Sequence, residues 1–356
     1  MGEGRVESAA PAGARAGVTA GGRQPRDWLG LSLAGTASVA LVCAIAPSVP
    51  LDLRAAIYLV GMVGLNLPHG AVENGLNLIG RRRVWTAGYV AAFLGGIGLF
   101  TGILLLSPVA GVLLAMTVAM AKAGSGDLAV MDRVRGAAHL RGPGHRLLAG
   151  ITRGGAVMML PMSLHPGAFD GFAGIMVATV DADAMGAMGA FLAALRPWVG
   201  YAWAGAALIH LGLGALVGWH GASHRGSWRT DALETLVLLA LFAAAPPLIA
   251  VGVYFPLWYS ARQTARALAT APDAAAHARR ARWTRRAWLG LMAIGAGTLA
   301  TAGAMVALLP DPLPAGRWLY DGVALWTLVI SAVALPHVVV GGWLDRGRGI
   351  WCTSAR

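Results

Sequence analysis

The chain has 356 residues, of which 57% are hydrophobic and only 12% charged, and its formal net charge is +12. A soluble domain holds about 25% charged residues, so this composition excludes an ordinary soluble enzyme, a disordered chain and a collagen-like one. With a mean hydropathy of +0.63 it points to a polytopic helical membrane protein. The positive charge is almost entirely arginine, Lys122 being the single lysine. In so apolar a chain it reads as positive-inside loops and contact with anionic lipid headgroups, not as a nucleic-acid surface. Cys43 and Cys352 lie far apart and form neither a zinc pattern nor a disulfide framework.

Residues 1–27 are rich in Gly, Ala and Arg and read as a flexible, basic cytoplasmic tail without the apolar region of a signal peptide. Apolar runs follow at Trp28–Ala46, Ala55–Ala71, Val84–Ser107, Pro108–Ala123, Leu147–Leu164, Trp198–Trp219, Ala232–Tyr259, Trp288–Leu309 and Gly322–Leu344. Most are near the roughly 20 residues that cross a bilayer as a helix, and helices are required because backbone amides cannot stay unpaired in lipid. Trp85, Trp198, Trp219, Trp258, Trp288 and Trp343 mark run ends, where an aromatic belt belongs. The expected fold is therefore all-α, a transmembrane bundle of about 8–10 membrane segments over residues 28–345, closed by a short basic tail at 346–356.

Arginine sets the expected orientation in a cell membrane. Basic clusters before the first run, at Arg81–Arg83 and between Lys122 and Arg146 fall on one side if the first four runs cross singly, which makes the N-terminus cytoplasmic. Residues 260–287 carry seven more arginines and belong on the same side, yet three crossings between residues 147 and 259 would place them opposite. Three features offer a resolution: a re-entrant Leu147–Leu164, which contains Arg153; entry of 171–195 into the membrane; or a break at Pro246-Pro247. The basic loop is taken as cytoplasmic.

Polar rings inside apolar runs are costly and mark functional positions. His69 and His337 each follow a proline within a membrane segment, and Glu73, four residues after His69, shares its face if the helix continues. His210 lies mid-run and suits a hydrogen bond across helices, and His165 suits a cap. His220 and His224 form an i, i+4 pair in a basic loop, and His139, His145 and His277 lie in polar loops. Lys122 reads either as a lysine snorkelling to the headgroups or as an amine in an apolar pocket, open to an aldehyde.

Four blocks, with a fifth match at the C-terminal end, carry a family resemblance over roughly residues 30–345. They are Pro68-His69-Gly70-Ala71-Val72-Glu73; Lys122 to Asp127; Arg153-Gly154-Gly155 with Leu160-Pro161 and Leu164-His165-Pro166; Tyr254-Phe255 with Tyr259-Ser260-Ala261-Arg262-Gln263; and Leu335-Pro336-His337. In this order they resemble the Brp/Blh family of membrane β-carotene 15,15'-dioxygenases. The resemblance implies an iron-dependent enzyme that splits β-carotene with dioxygen into two retinal molecules, its Fe(II) held by histidines. His69 matches the first of four expected histidines, whereas Lys122, Tyr259 and Gln263 stand at the other three. The expectations are thus a metal set of His69, Glu73 and His337, the composition of a two-histidine-one-carboxylate iron centre, and a substrate pocket at Lys122, Tyr259 and Gln263. The alternative is a divergent, non-catalytic member that binds a carotenoid or other polyisoprenoid or assists pigment synthesis. A small-solute transporter is a third class, without a clear inverted repeat to support it.

Overall fold

The structure, a computed structural model, describes residues 25–66, 70, 83–269, 276, 278–286, 289–290 and 318–348. These residues are helical almost throughout, with no strand among them. The helices are α1 (Pro25–Ile45), α2 (Leu51–Leu59), α3 (Arg83–Leu106), α4 (Pro108–Val130), α5 (Gly142–Leu164), α6 (Pro166–Ala178), α7 (Met185–Trp219), α8 (Ala222–Ala244), α9 (Pro247–Val253), α10 (Ala261–Ala269) and α11 (Trp318–Arg348). Six stretches among the described residues are long and apolar enough to cross a membrane: Trp28–Ile45, Ala87–Leu106, Pro108–Arg135, Gly142–Leu164, Ala182–Trp219 and Tyr320–Val339. Their outward faces are apolar, as lipid requires; Leu106, Trp219 and Tyr201 are 89%, 81% and 79% exposed.

Prolines punctuate the chain. Pro108, Pro166 and Pro247 occupy the first turns of α4, α6 and α9, where the missing N–H costs nothing and the fixed φ suits a helix start. Two helices continue as wide π-type turns, α2 through Val60–Asn66 and α9 through Tyr254–Ser260. Such turns are rare and concentrate at functional sites. Here they meet each other: a Cβ at Gly61 would collide with the Gly252 carbonyl, and Ser260 Oγ donates to Asn66 Oδ1 at 2.7 Å.

The path explains the charge pattern. α5 is an unbroken helix of 23 residues, so Arg153 does not make it re-entrant. α6, with 13 residues, is about 20 Å long and too short to span the ~30 Å hydrocarbon core. α7 then returns as one helix of 35 residues, beginning well before Trp198. Its end and the start of α8 reach the turn after α4: a Cβ at Gly214 would touch His139, His139 meets Ser227 and Arg141 meets His224. The run Ala232–Tyr259 is two segments, since α8 stops at Ala244 and Ala245 is extended ahead of Pro246-Pro247. Four helical segments, α5, α7, α8 and α9–α10, thus link the two basic stretches, α5 and α7 being among those long and apolar enough to cross a membrane; an even number of crossings would return the chain to its starting side. Leu29, Val130 and Ala265 pack together, which puts the start of α1, the end of α4 and α10 at one level.

Two apolar clusters build the interior. One joins α1, α2, α5, α8, α9 and the second π turn around Tyr58, Phe242, Tyr254 and Trp258. The other joins α3, α4, α6, α7 and α11 around Phe100, Phe169, Met188 and Leu328.

Candidate functional site

A cavity opens where the two clusters meet. Its volume is about 100 Å³, smaller than the roughly 300–1,000 Å³ common for small-molecule sites, so a long ligand would extend out through its mouth. Tyr58 and Met62 of α2, Ala115 and Ala119 of α4, Met158 and Pro161 of α5, Phe172 of α6, Phe255 and Ile330 are among its walls. Tyr58 is fixed by a 2.5 Å hydrogen bond between its hydroxyl and Thr327 Oγ1 and by ring contacts at 6.2 Å with Phe172. The polar lining is sparse: the Tyr58–Thr327 pair, Ser331, Asn66 and Lys122.

The three residues expected at the substrate pocket converge. Lys122 lines the cavity instead of reaching outward, with Nζ 5.3 Å from the centroid of the Tyr259 ring. Tyr259 and Gln263 both press on Gly126, four residues after Lys122: a Cβ there would lie 2.5 Å from Tyr259 Cε2 and 2.8 Å from Gln263 Nε2. Tyr259 and Gln263 are 1% and 2% exposed, behind the wall that Lys122 forms. His337 is buried in α11, three residues beyond Ala334, a cavity-lining residue. His69 and Glu73 lie outside the described residues.

Beside this site stands a buried ionic network on four helices. Arg153 of α5 donates Nη1 to Asp127 of α4 at 2.9 Å, Nη2 to Asp231 of α8 at 2.6 Å and Nη2 to Glu234 at 3.0 Å. Arg262 of α10 donates to Glu234 at 2.6 Å and lies 4.1 Å from the Trp258 ring. Trp258 donates Nε1 to Asp127 Oδ2 at 2.9 Å, and Arg135 reaches Glu234 at 3.1 Å. Asp231 also holds His139 and His210, at 2.7 and 3.0 Å. Three arginines thus face three carboxylates, and a buried charge is tolerable only when so paired. Trp258 and Arg262 immediately precede Tyr259 and Gln263 in sequence, and Asp127 follows Gly126, so the network fixes both walls of the Lys122 end. His139 and His145, in sequence loop residues, are buried; His145 donates Nε2 to the His210 carbonyl at 3.2 Å. His210 makes the expected interhelical contact, and His165 caps α5 and reaches the Ala243 carbonyl at 3.2 Å.

The fold and the site together define an integral-membrane helix bundle with an internal apolar cavity walled at one end by a lysine and a buried ionic network. The family model "Beta-carotene 15,15'-dioxygenase" matches residues 60–345, and the chain belongs to this family. It is 43% identical over 316 residues to "Probable beta-carotene 15,15'-dioxygenase Brp" from two strains of Halobacterium salinarum, covering 85% of this chain and 87% of that protein. It is 28% identical over 341 residues to "Probable beta-carotene 15,15'-dioxygenase Blh" of the same organism, covering 91% and 92%. No solved structure matches.

The family name raises iron, and the donor set answers for the described part of the site. A protonated Lys122 repels a cation, Gln263 offers only a weak carbonyl, and Tyr259 binds only when ionised. These three side chains do not fit Fe(II). Among the described residues no group of three or more His, Cys, Asp or Glu is gathered to hold a metal ion.

Proposed function

We propose that the chain is a membrane carotenoid oxygenase that takes β-carotene from the bilayer into the apolar cavity and cleaves it centrally. In this reaction the central carbon–carbon double bond breaks, each carbon gains one oxygen atom of dioxygen, and two retinal molecules leave. The observation that carries this reading is the cavity: a long hydrocarbon needs an apolar slot with few hydrogen-bonding groups, and the walls of Met62, Ala115, Met158, Phe172 and Phe255 supply one. Membership of the family points to the same substrate. For iron this reading leaves His69, Glu73 and His337, with His69 first; the protein would be multi-pass, with the N-terminus cytoplasmic.

A second reading is favoured by one observation, the presence of Lys122, Tyr259 and Gln263 at three positions where the resembling family places histidines. It makes the chain a carotenoid or polyisoprenoid binder that does not cleave. Expression in a bacterium that makes β-carotene, with iron supplied, separates the two. Retinal in the wild type, its loss in His69→Ala and iron bound in proportion support the oxygenase. Carotene that co-purifies intact with an iron-free protein, with no retinal in the cells, supports the binder.

A further inference from the structure

Apart from the internal cavity, a groove of about 640 Å³ runs along the outer side of the α4–α5 seam. Its floor is shallow and small, with Ala121, Gly124 and Gly150, because the two helices approach backbone to backbone at Gly124 and Gly154. Met120, Leu147 and Ile151 form its sides. Thr117 and Ser125 also line it, but their hydroxyls donate back to the Leu113 and Ala121 carbonyls of their own helix, so neither calls for a ligand. Charge is confined to one end, at Arg146, one turn into α5 where its apolar span begins. Arg146 pairs with Asp132 through both Nη atoms, which orients the guanidinium and leaves its Nε–H to be used. Arg133 and Arg141 are exposed nearby in the chain, and Asp132 is the one carboxylate among the four arginines of residues 131–146.

We infer that this groove seats one anionic phospholipid from the leaflet on the side of the basic stretches, with an acyl chain along the seam and the phosphate at the Arg146 end. Length selects this occupant. The groove follows α4 from Leu128 to Thr117 and α5 from Arg146 to Met159, about 16 and 20 Å of helix, close to the roughly 15 Å depth of one leaflet. Charge selects it as well. The arginine excess at the mouth answers an anionic headgroup through charge-assisted hydrogen bonds, whereas a pure hydrocarbon would leave it unanswered. The seated chain fills the outer side of the seam, and Ala119, Lys122, Met158 and Pro161 of the same two helices wall the cavity on the inner side. The lipid thus braces α4 against α5 and holds that wall in place. This is independent of whether a carotenoid is bound or cleaved within.

The test uses the full chain in detergent, titrated with dioleoyl-phosphatidylglycerol or with dioleoyl-phosphatidylcholine, which has the same chains and no net charge. Native mass spectrometry counts the lipid retained, and thermal unfolding reads its effect. The wild type is expected to retain one phosphatidylglycerol about five-fold more strongly than phosphatidylcholine and to melt higher with it. Arg146→Gln should remove most of that preference, and Arg146→Lys, which keeps the charge, should restore it. Ala121→Trp, which fills the exposed floor of the groove, should lower retention of both lipids while melting as the wild type does without lipid. Thr117→Trp, at the far end of the groove, repeats this arm should Ala121→Trp not fold. Equal retention of the two lipids by the wild type, or retention undiminished by the filling variants, would overturn the inference. A wild-type dimer that either filling variant turns into a monomer would assign the groove to a second copy of the chain and overturn it too.

Discussion

Arg153 is the residue on which the interior turns. It sits in the middle of an apolar helix with no exposed surface, and its partners Asp127, Asp231 and Glu234 lie 26, 78 and 81 residues away in sequence. Sequence therefore isolates the arginine as an anomaly without revealing what answers it. One available signal is the pair Asp231 and Glu234, three apart and so on one helical face, at the border of an apolar run. His139 and His145 escape detection for a similar reason: their neighbours in sequence are polar, but the turn that carries His139 packs on α8 and the first turn of α5, with His145, packs on α7. Because a buried charge left without its partner is heavily penalised, Asp231→Asn should destabilise the protein by about 3–5 kcal/mol. Thermal unfolding of the detergent-solubilised protein reads this. Arg196→Ala, which removes the half-exposed pair with Asp170, should cost about 1 kcal/mol or less. Equal effects would mean that the network does not hold the helices.

At the scale of elements, helix starts are legible and helix lengths are not. Ser107-Pro108 and Pro246-Pro247 end one helix and begin the next where backbone chemistry dictates. The beginning of α7 is hidden, because Asp181, Asp183 and Arg196 interrupt the hydropathy; Arg196 is accommodated by Asp170 and by the Met162 carbonyl. Helix contact depends on glycine at a few places only. A Cβ at Gly124 would meet the Gly150 carbonyl, and one at Gly154 would meet the Met120 carbonyl, backbone against backbone. These contacts seat α4 on α5 and so set the depth of Lys122 in the cavity. Gly154→Val should therefore separate the helices and lower the yield of folded protein, whereas Gly98→Ala on the outer face of α3, where nothing lies within 4 Å, should be neutral or slightly stabilising. Size-exclusion profiles of the two variants decide between this account and a loosely packed α4–α5 interface.

For the whole molecule, composition alone established the class, an all-α membrane bundle, because no soluble fold tolerates so much exposed apolar surface. Three of the expected site residues, Lys122, Tyr259 and Gln263, do stand together, which their separation in sequence leaves open and the order of the family blocks suggests. The even number of passages between the basic stretches also has a direct check. With Cys43 and Cys352 replaced, single cysteines at Ala138, Ser223 and Arg282 should react with an impermeant thiol reagent from one side of sealed vesicles, and cysteines at Ser48 and Ser107 from the other. Ser223 and Ala138 on opposite faces would refute the path.

The central claim is that the cavity between α2, α4, α5, α6 and α11 is where a carotenoid is held and cleaved. Ala119 lines that cavity midway along α4, and a tryptophan there fills it without touching the ionic network. The most direct measurement is retinal formed from β-carotene by cells carrying the wild type or Ala119→Trp at equal membrane levels. The account predicts retinal from the wild type and its near-complete loss in the variant. Intact carotene in wild-type cells, or undiminished retinal in the blocked variant, would contradict it.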